Sequence, residues 1–200
     1  VQAGGWTWER RGDAIEFFRA KVGIVGAGFV GRHLIKLLKS YELGGIWVYD
    51  PYLSEPEAAE MGVEKRNLES IFGGCDFISI NAPSTKDTKG MITRVLLKLI
   101  KPNAVFINTS RGAVVDEPAL VEELQTGRFC ALLDVTEPEP PAPNNPLRNM
   151  PNVILTPHIA GAISNNAKRI GMYAVREVIN FLRGEPLVYP VDLSALDRLA

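Results

Sequence analysis

An α/β chain built on a doubly wound parallel sheet is predicted by three features of the sequence. Strand-like and helix-like segments alternate from Lys21 to Leu182, a glycine-rich turn joins the first strand to the first helix, and polar residues repeatedly follow the apolar runs that read as strands. Alternation of this kind favours parallel strands joined by right-handed helical crossovers. Two hundred residues, 46% of them hydrophobic, suffice for one domain with a substantial core.

The elements follow in order. Val1 to Ala20 carries Trp6, Trp8 and a charged run, with room for one helical turn at Ala14 to Phe18, and reads as a lead-in segment. The two tryptophans suit either an interface or packing on the domain's own surface. In Lys21 to Leu38, Val22, Ile24 and Val25 supply a strand, Gly26, Gly28 and Gly31 form G-x-G-x-x-G, and Leu34, Ile35, Leu37 and Leu38 give the apolar stripe of a helix. Gly26 permits the tight turn, Gly28 lets the backbone approach a pyrophosphate, and Gly31 lets the helix sit close on the strand. The free N–H groups of Phe29 and Val30 at that helix start favour an anion. A second strand, Ile46 to Tyr49, ends in Asp50, nineteen positions after Gly31 and close to the spacing expected of a carboxylate that holds the adenine ribose. Such a carboxylate accepts from both ribose hydroxyls and repels a 2′-phosphate, which points to NAD rather than NADP as cofactor.

A helix is expected over Glu55 to Met61, then Gly62, a short strand at Val63, and one helical turn at Asn67 to Phe72 before Gly73 and Gly74. Asp76 to Ile80 reads as a buried strand. The loop behind it, with the polar run Thr85 to Lys89, places Asn81, Ala82, Pro83 and Thr88 beside the ligand crevice, where the strand ends of open α/β sheets point. Met91 to Ile100 is expected to be helical, and Ala104 to Asn108 is a strand that runs into Thr109-Ser110-Arg111-Gly112. Asp116 caps a helix with Glu117 and Pro118 in its first turn, stopped by Gly127. Ala131 to Leu133 is a strand ending at Asp134. The stretch TEPEPPAPNNP, Thr136 to Pro146, is too rich in proline for helix or central strand and reads as an extended loop. Val153 to Leu155 forms the last strand, ending in Thr156-Pro157-His158, and Ile163 to Leu182 a long helix terminated by Gly184.

Composition narrows the partners. A net charge of −1 with scattered basic residues points away from nucleic acid and anionic membranes, and towards a small molecule. Cys75 and Cys130 match no metal or redox spacing, so no metal is expected and both read as buried thiols in a reducing compartment. No apolar run approaches a membrane span and no signal-peptide pattern is present, so a cytoplasmic location is the expectation. The chain begins with Val1, which suggests part of a longer protein.

Three residues at successive strand ends carry chemistry: Arg111, Glu139 and His158. Oxidation of an alcohol by hydride loss also requires removal of the hydroxyl proton, and an imidazole can take it and return it in reverse. Glu139, bonded to the other ring nitrogen, would fix the tautomer. Arg111 offers a planar fork that grips a carboxylate and polarises the carbonyl beside it. Taken singly, each has a plainer reading, as a loop cap for His158, a local ion pair for Arg111 and a solvated acid for Glu139. His33, on the first helix, is assigned to surface or packing.

These motifs resemble the NAD-dependent D-2-hydroxyacid dehydrogenases, a family that includes phosphoglycerate, glycerate and hydroxypyruvate enzymes. VGIVGAGFVGR resembles the cofactor fingerprint, VYDPY the ribose-binding strand end, NTSRGAVVDEPAL the arginine motif, and LLDVTEPEP and VILTPHIAG the glutamate and histidine motifs. The resemblance implies a Rossmann-type NAD-binding domain, catalytic roles for Arg111, Glu139 rather than Glu137, and His158, and interconversion of a D-2-hydroxy acid with a 2-keto acid. It implies that Asp134 contacts the nicotinamide carboxamide, that Thr109, Ser110 and Gly161 border the nicotinamide, and that the domain forms a homodimer. Thr136 departs from a common phenylalanine and Asn81 from a common histidine. The substrate domain of the family is largely absent from this chain: residues 21–182 hold the dinucleotide-binding domain, with 1–20 and 183–200 as crossings to it. A nucleotide-sensing corepressor and a phosphite dehydrogenase are alternatives within the same resemblance; Glu139 disfavours formate enzymes, which carry glutamine there.

Overall fold

The structure, a computed structural model, describes residues 16–161 and 165–193. Seven parallel strands form one sheet: β1 (Lys21–Val25), β2 (Gly45–Tyr49), β3 (Glu64–Lys65), β4 (Phe77–Ile80), β5 (Val105–Asn108), β6 (Cys130–Leu133) and β7 (Val153–Leu155), in spatial order β3-β2-β1-β4-β5-β6-β7. The helices are α1 (Phe29–Leu38), α2 (Glu55–Glu60), α3 (Leu68–Gly74), α4 (Arg94–Leu99), α5 (Glu117–Gln125) and α6 (Asn165–Leu182). The chain winds outward from β1 to β3, returns, and winds the other way from β4, so the strand order reverses between β1 and β4. In such sheets ligands bind at that reversal, beyond the carboxyl ends of the strands.

Alternating side chains build two cores. On one face Ile78, Ile80, Phe106, Ala131 and Leu133 pack with Ile71 and Phe72 of α3, Leu96 and Leu97 of α4, and Leu120 and Leu124 of α5. On the other, Val22, Ile24, Ile46 and Val48 pack under Ile35 and Leu38 of α1 and Ala58 of α2. Helix starts follow capping chemistry: Ser54 and Glu57 form a reciprocal capping box at α2, Asn67 caps α3 and Asp116 caps α5.

The register sets the site. The last residues of six strands stand in one row, Tyr49, Val25, Ile80, Asn108, Leu133 and Leu155, each a paired neighbour of the next. The residue after each is Asp50, Gly26, Asn81, Thr109, Asp134 or Thr156. The polar strand ends of the sequence therefore emerge along a single edge.

Some expectations are corrected. The helix expected over Met91 to Ile100 begins only at Arg94, because Ile92 pairs as a bridge with Val115 and the chain there is extended. The expected strand at Val63 lies at Glu64–Lys65, and the strand expected from Asp76 starts at Phe77, Asp76 being spent on the Lys21 N–H and an ion pair with Lys101. Cys130 is exposed, not buried: it opens β6 on the face away from α3 to α5, and the α1-side core does not extend so far along the sheet. Short 3₁₀ turns at Gly112–Val114 and Pro146–Arg148 lie in stretches read as irregular. Helix α6 runs to Leu182, with Gly184 at φ +67° behind it, and nearly all its residues are exposed. Trp6 and Trp8 lie outside the described residues, as do Ala14, Ile15 and Ile163; Phe18 and Arg19 form a turn, not helix.

Candidate active site

The glycine turn is fixed by contact as well as by φ. Gly26 has φ +97°, and a Cβ there would lie 2.8 Å from the backbone of Asn81 and Ala82. A Cβ on Gly31 would lie 2.1 Å from the Gly26 carbonyl oxygen, so only glycine lets α1 seat this closely. Gly28 differs: nothing lies within 4 Å of the place its Cβ would take. It leaves open space over the start of α1, where no side chain caps the helix and no acid occupies the first turn, in contrast to α2, α3 and α5. Uncapped N–H groups and the positive helix end are what a pyrophosphate requires.

Asp50 stands beside this turn. Its Oδ2 accepts from the Ala27 N–H at 2.7 Å and its Oδ1 from the Tyr52 N–H at 2.8 Å. Arg32 closes the same side, donating from Nε to the Ala27 carbonyl at 2.9 Å and pairing with Glu57 at 3.3 Å. Ala27, Arg32, Asp50 and Tyr52 line a cavity of about 640 Å³ that also takes in Gly26, Gly28 and Phe29 on one wall and Asn81, Ala82, Pro83 and Thr88 on the other. Phe29 is 85% exposed, so the cavity mouth is open above it. Thr88 holds the second wall, donating to the Pro83 carbonyl at 2.5 Å and accepting from the Thr85 N–H at 2.8 Å. The donor set, the open space at Gly28 and the carboxylate at the end of β2 fit an adenosine diphosphate moiety. Val30 and Thr109 lie elsewhere, on an apolar groove at the opposite flank of α1, which Asn81 also reaches. There the Asn81 amide donates to Ser79.

At the other end of the row the catalytic candidates assemble. His158 Nδ1 lies 2.5 Å from Glu139 Oε1, with both side chains partly exposed, as a proton carrier and its orienting carboxylate would be. Glu139 is thus an exposed carboxylate that is also paired with a ring nitrogen. Thr136 is buried and its hydroxyl donates to the Pro138 carbonyl at 2.9 Å, so the residue that departs from the family pattern shapes the glutamate loop. Arg111 is exposed, forms no ion pair with a described carboxylate, and rests with Nη1 on the Ser110 carbonyl. Its fork is available to a ligand. Asp134 is buried, with its oxygens turned to the His158 loop rather than to the crevice surface. Gly161 is exposed at the end of that loop.

Several supporting residues escaped sequence reading. Asn108, 2% exposed, accepts from the Ser110 N–H and donates to the Arg111 carbonyl, shaping the arginine loop. Gly112 lies so close to the glutamate loop that a Cβ would meet the Thr136 carbonyl at 2.2 Å. Glu117 accepts from the Glu137 N–H and from Asn145, each at 2.8 Å, and pins the proline-rich loop. An asparagine directly before a polar strand end is a signal for such a turn; the other two are visible only in three dimensions. Among the described residues, no group of three or more His, Cys, Asp or Glu is placed to hold a metal ion, and no helix is long and apolar enough to cross a membrane.

Comparison with known proteins places these features. Residues 1–160 match the sequence model described as D-isomer specific 2-hydroxyacid dehydrogenase, NAD binding domain. The chain is 34% identical over 192 residues to D-3-phosphoglycerate dehydrogenase of Archaeoglobus fulgidus, which covers 95% of this chain and 36% of that protein. It is 42% identical over 166 residues to glyoxylate reductase of Thermococcus litoralis, 82% of this chain and 49% of that one. The solved structure of TT0316 protein from Thermus thermophilus is similar with a TM-score of 0.81 at 30% identity, over 96% of this chain and 60% of that chain. The chain thus spans about a third to a half of the length of these curated relatives.

Proposed function

We propose a function from one premise: the chain belongs to the D-isomer specific 2-hydroxyacid dehydrogenase family, as its NAD-binding domain. The cofactor is NAD. On that basis the parent protein is an oxidoreductase that interconverts a D-2-hydroxy acid and a 2-keto acid of the glycerate, hydroxypyruvate or phosphoglycerate type. Residues 21–182 are its nucleotide domain, and residues 1–20 and 183–200 lead towards a substrate domain outside this chain. The protein works in the cytoplasm as a homodimer. The observation that carries the reading is the Glu139–His158 pair at 2.5 Å, on the same sheet edge as the uncapped start of α1.

NADH, when bound, supplies hydride to the keto carbon. Arg111 holds the substrate carboxylate through its fork of N–H groups and draws electron density from the neighbouring carbonyl. His158, charged and donating from Nδ1 to Glu139, presents its Nε2 proton to the oxygen as negative charge grows there. Glu139 keeps the ring in the tautomer that leaves Nε2 for substrate once the proton has gone. Asp50 orients the ribose and disfavours a 2′-phosphate. With the substrate domain missing, this chain binds NAD and turns over poorly.

The test is titration of this chain with NADH and NADPH by fluorescence, followed by a panel of 2-keto acids with the full-length parent. Preferred NADH binding, and turnover abolished by His158→Ala, support the reading. NADH binding by a folded parent with no turnover on any acid, joined to NAD-dependent peptide binding, transfers the assignment to a nucleotide-sensing protein.

A further inference from the structure

His158 has a backbone that needs holding. Its φ is +53°, in the left-handed region that a bulky residue keeps only where its surroundings impose it. Its ring must also meet Glu139, which comes from another loop. Asp134 supplies most of the restraint on the chain at this point, beside the Thr156 carbonyl, which also accepts from the His158 N–H at 3.1 Å. The Asp134 carbonyl accepts from the His158 N–H at 2.9 Å. Oδ1 accepts from the Ile159 N–H at 2.9 Å and from the Thr156 hydroxyl at 2.5 Å, and Oδ2 accepts from the Ala160 N–H at 2.8 Å. Three successive N–H groups, 158 to 160, therefore converge on one residue. That residue is itself fixed, since the Asp134 N–H donates to the Asn108 carbonyl at 2.9 Å across the β5–β6 pair.

The arrangement requires a carboxylate. Asp134 is 3% exposed, and burial by itself raises its pKa. The Thr156 hydroxyl, the Ala160 and Ile159 N–H groups and the charge of His158 outweigh burial and hold it below the ordinary aspartate value. Asparagine, of the same shape, has one acceptor oxygen and would turn an NH₂ against a donor that now meets an oxygen.

We propose that Asp134 is a positioning residue for His158: by gathering the N–H groups of residues 158 to 160 it sets the backbone from which Nδ1 reaches Glu139. This role builds on the reading of His158 as the proton carrier. It concerns contacts within the chain and stands apart from any contact Asp134 makes with a nicotinamide.

Two histidines in the whole chain make the test direct. Imidazole ¹⁵N shifts, recorded at alkaline pH on the labelled chain, report which ring nitrogen carries the proton, and the exposed His33 on α1 is the internal reference. In the wild type His158 is expected mainly as the Nδ1–H tautomer, and Glu139→Gln identifies the bond that selects it. In Asp134→Asn the ratio of Nδ1–H to Nε2–H at His158 should fall about fivefold or more, with His33 unmoved. Thr156→Val keeps the carboxylate and removes one donor, and should give a smaller fall in the same direction. A wild-type or Asp134→Asn His158 that differs from this pattern overturns the proposal. If Asp134→Asn does not fold, Thr156→Val decides, and an unchanged tautomer ratio there overturns it. Failure of the wild-type chain to bind NADH would sink the dehydrogenase reading while leaving the tautomer comparison intact, so the two failures are distinct.

Discussion

The two ends of the crevice are held together by different means. At the nucleotide end, Gly26, Gly28, Gly31 and Asp50 come from one strand-turn-helix and the strand beside it; Gly26 and Gly31 pack backbone on backbone, Gly28 leaves open space, and the Asp50 carboxylate bonds the turn. At the other end, Arg111, Glu139 and His158 come from three loops, each steadied by polar side chains from elsewhere: Asn108, Glu117, Thr136 and Asp134. The first end is sensitive to volume and the second to hydrogen-bonding chemistry. Nucleotide binding and proton transfer should therefore fail separately, under different substitutions.

The largest expected separation is at His158. His158→Ala in the full-length parent should lower kcat by about 10²–10⁴-fold, while NADH affinity of this chain changes by less than about twofold. Parallel loss of NADH binding would show that the two ends are one unit. Gly31→Ala is the converse. With its Cβ directed 2.1 Å from the Gly26 oxygen, it should destabilise the chain by about 1–3 kcal/mol in urea unfolding and reduce NADH affinity by about a hundredfold. Retained affinity would mean that α1 has room to shift. Asp50→Asn removes a charge and leaves the packing. NADH affinity should fall about tenfold and the preference over NADPH should narrow, measured by paired titrations.

Acid sharpens the contrast further. The Asp134 carboxyl has a folded pKa below its unfolded one, so its stabilising contribution is complete above the unfolded value, about 3.9, and is lost as pH falls through the folded value. The His158 loop should loosen in hydrogen exchange in that acid window, while the Gly26 N–H in the β1–α1 turn, held by the Tyr49 carbonyl at 2.8 Å, keeps its protection. Asp76 adds to the general acid loss: burial raises its pKa, but Lys101 and the Lys21 N–H outweigh it. The smallest effect is on thiols. Burial pushes the Cys75 thiol up to about 12, and the side chain is fully buried, so one thiol only, Cys130, should react promptly with a thiol reagent in the folded chain. Two fast thiols would show that the core behind β1 opens readily.

The same contrast explains what could be read from the sequence. The sheet was legible because parallel strands are apolar runs followed by polar ends. The nucleotide end was legible because its parts are contiguous, at spacings that the chemistry imposes. Arg111, Glu139 and His158 stood out by residue type. Their supports did not: Glu117 read as a first-turn helix acid, and its grip on Glu137 and Asn145 depends on how α5 faces the proline-rich loop. Met91 to Thr93 read as helix because the apolar spacing is helical, whereas pairing of Ile92 with Val115 decides otherwise. Cys130 read as buried because cysteine usually is, and its exposure follows from which face of β6 its position selects.

The margins of the sheet bear on whether it invites further strands. One edge strand, β3, pairs through two residues, Glu64 and Lys65, both charged, and the other, β7, has three residues. A neighbouring molecule seeking to continue the sheet would find few backbone groups in line and charge at one border, which discourages edge-to-edge stacking and the fibres that grow from it.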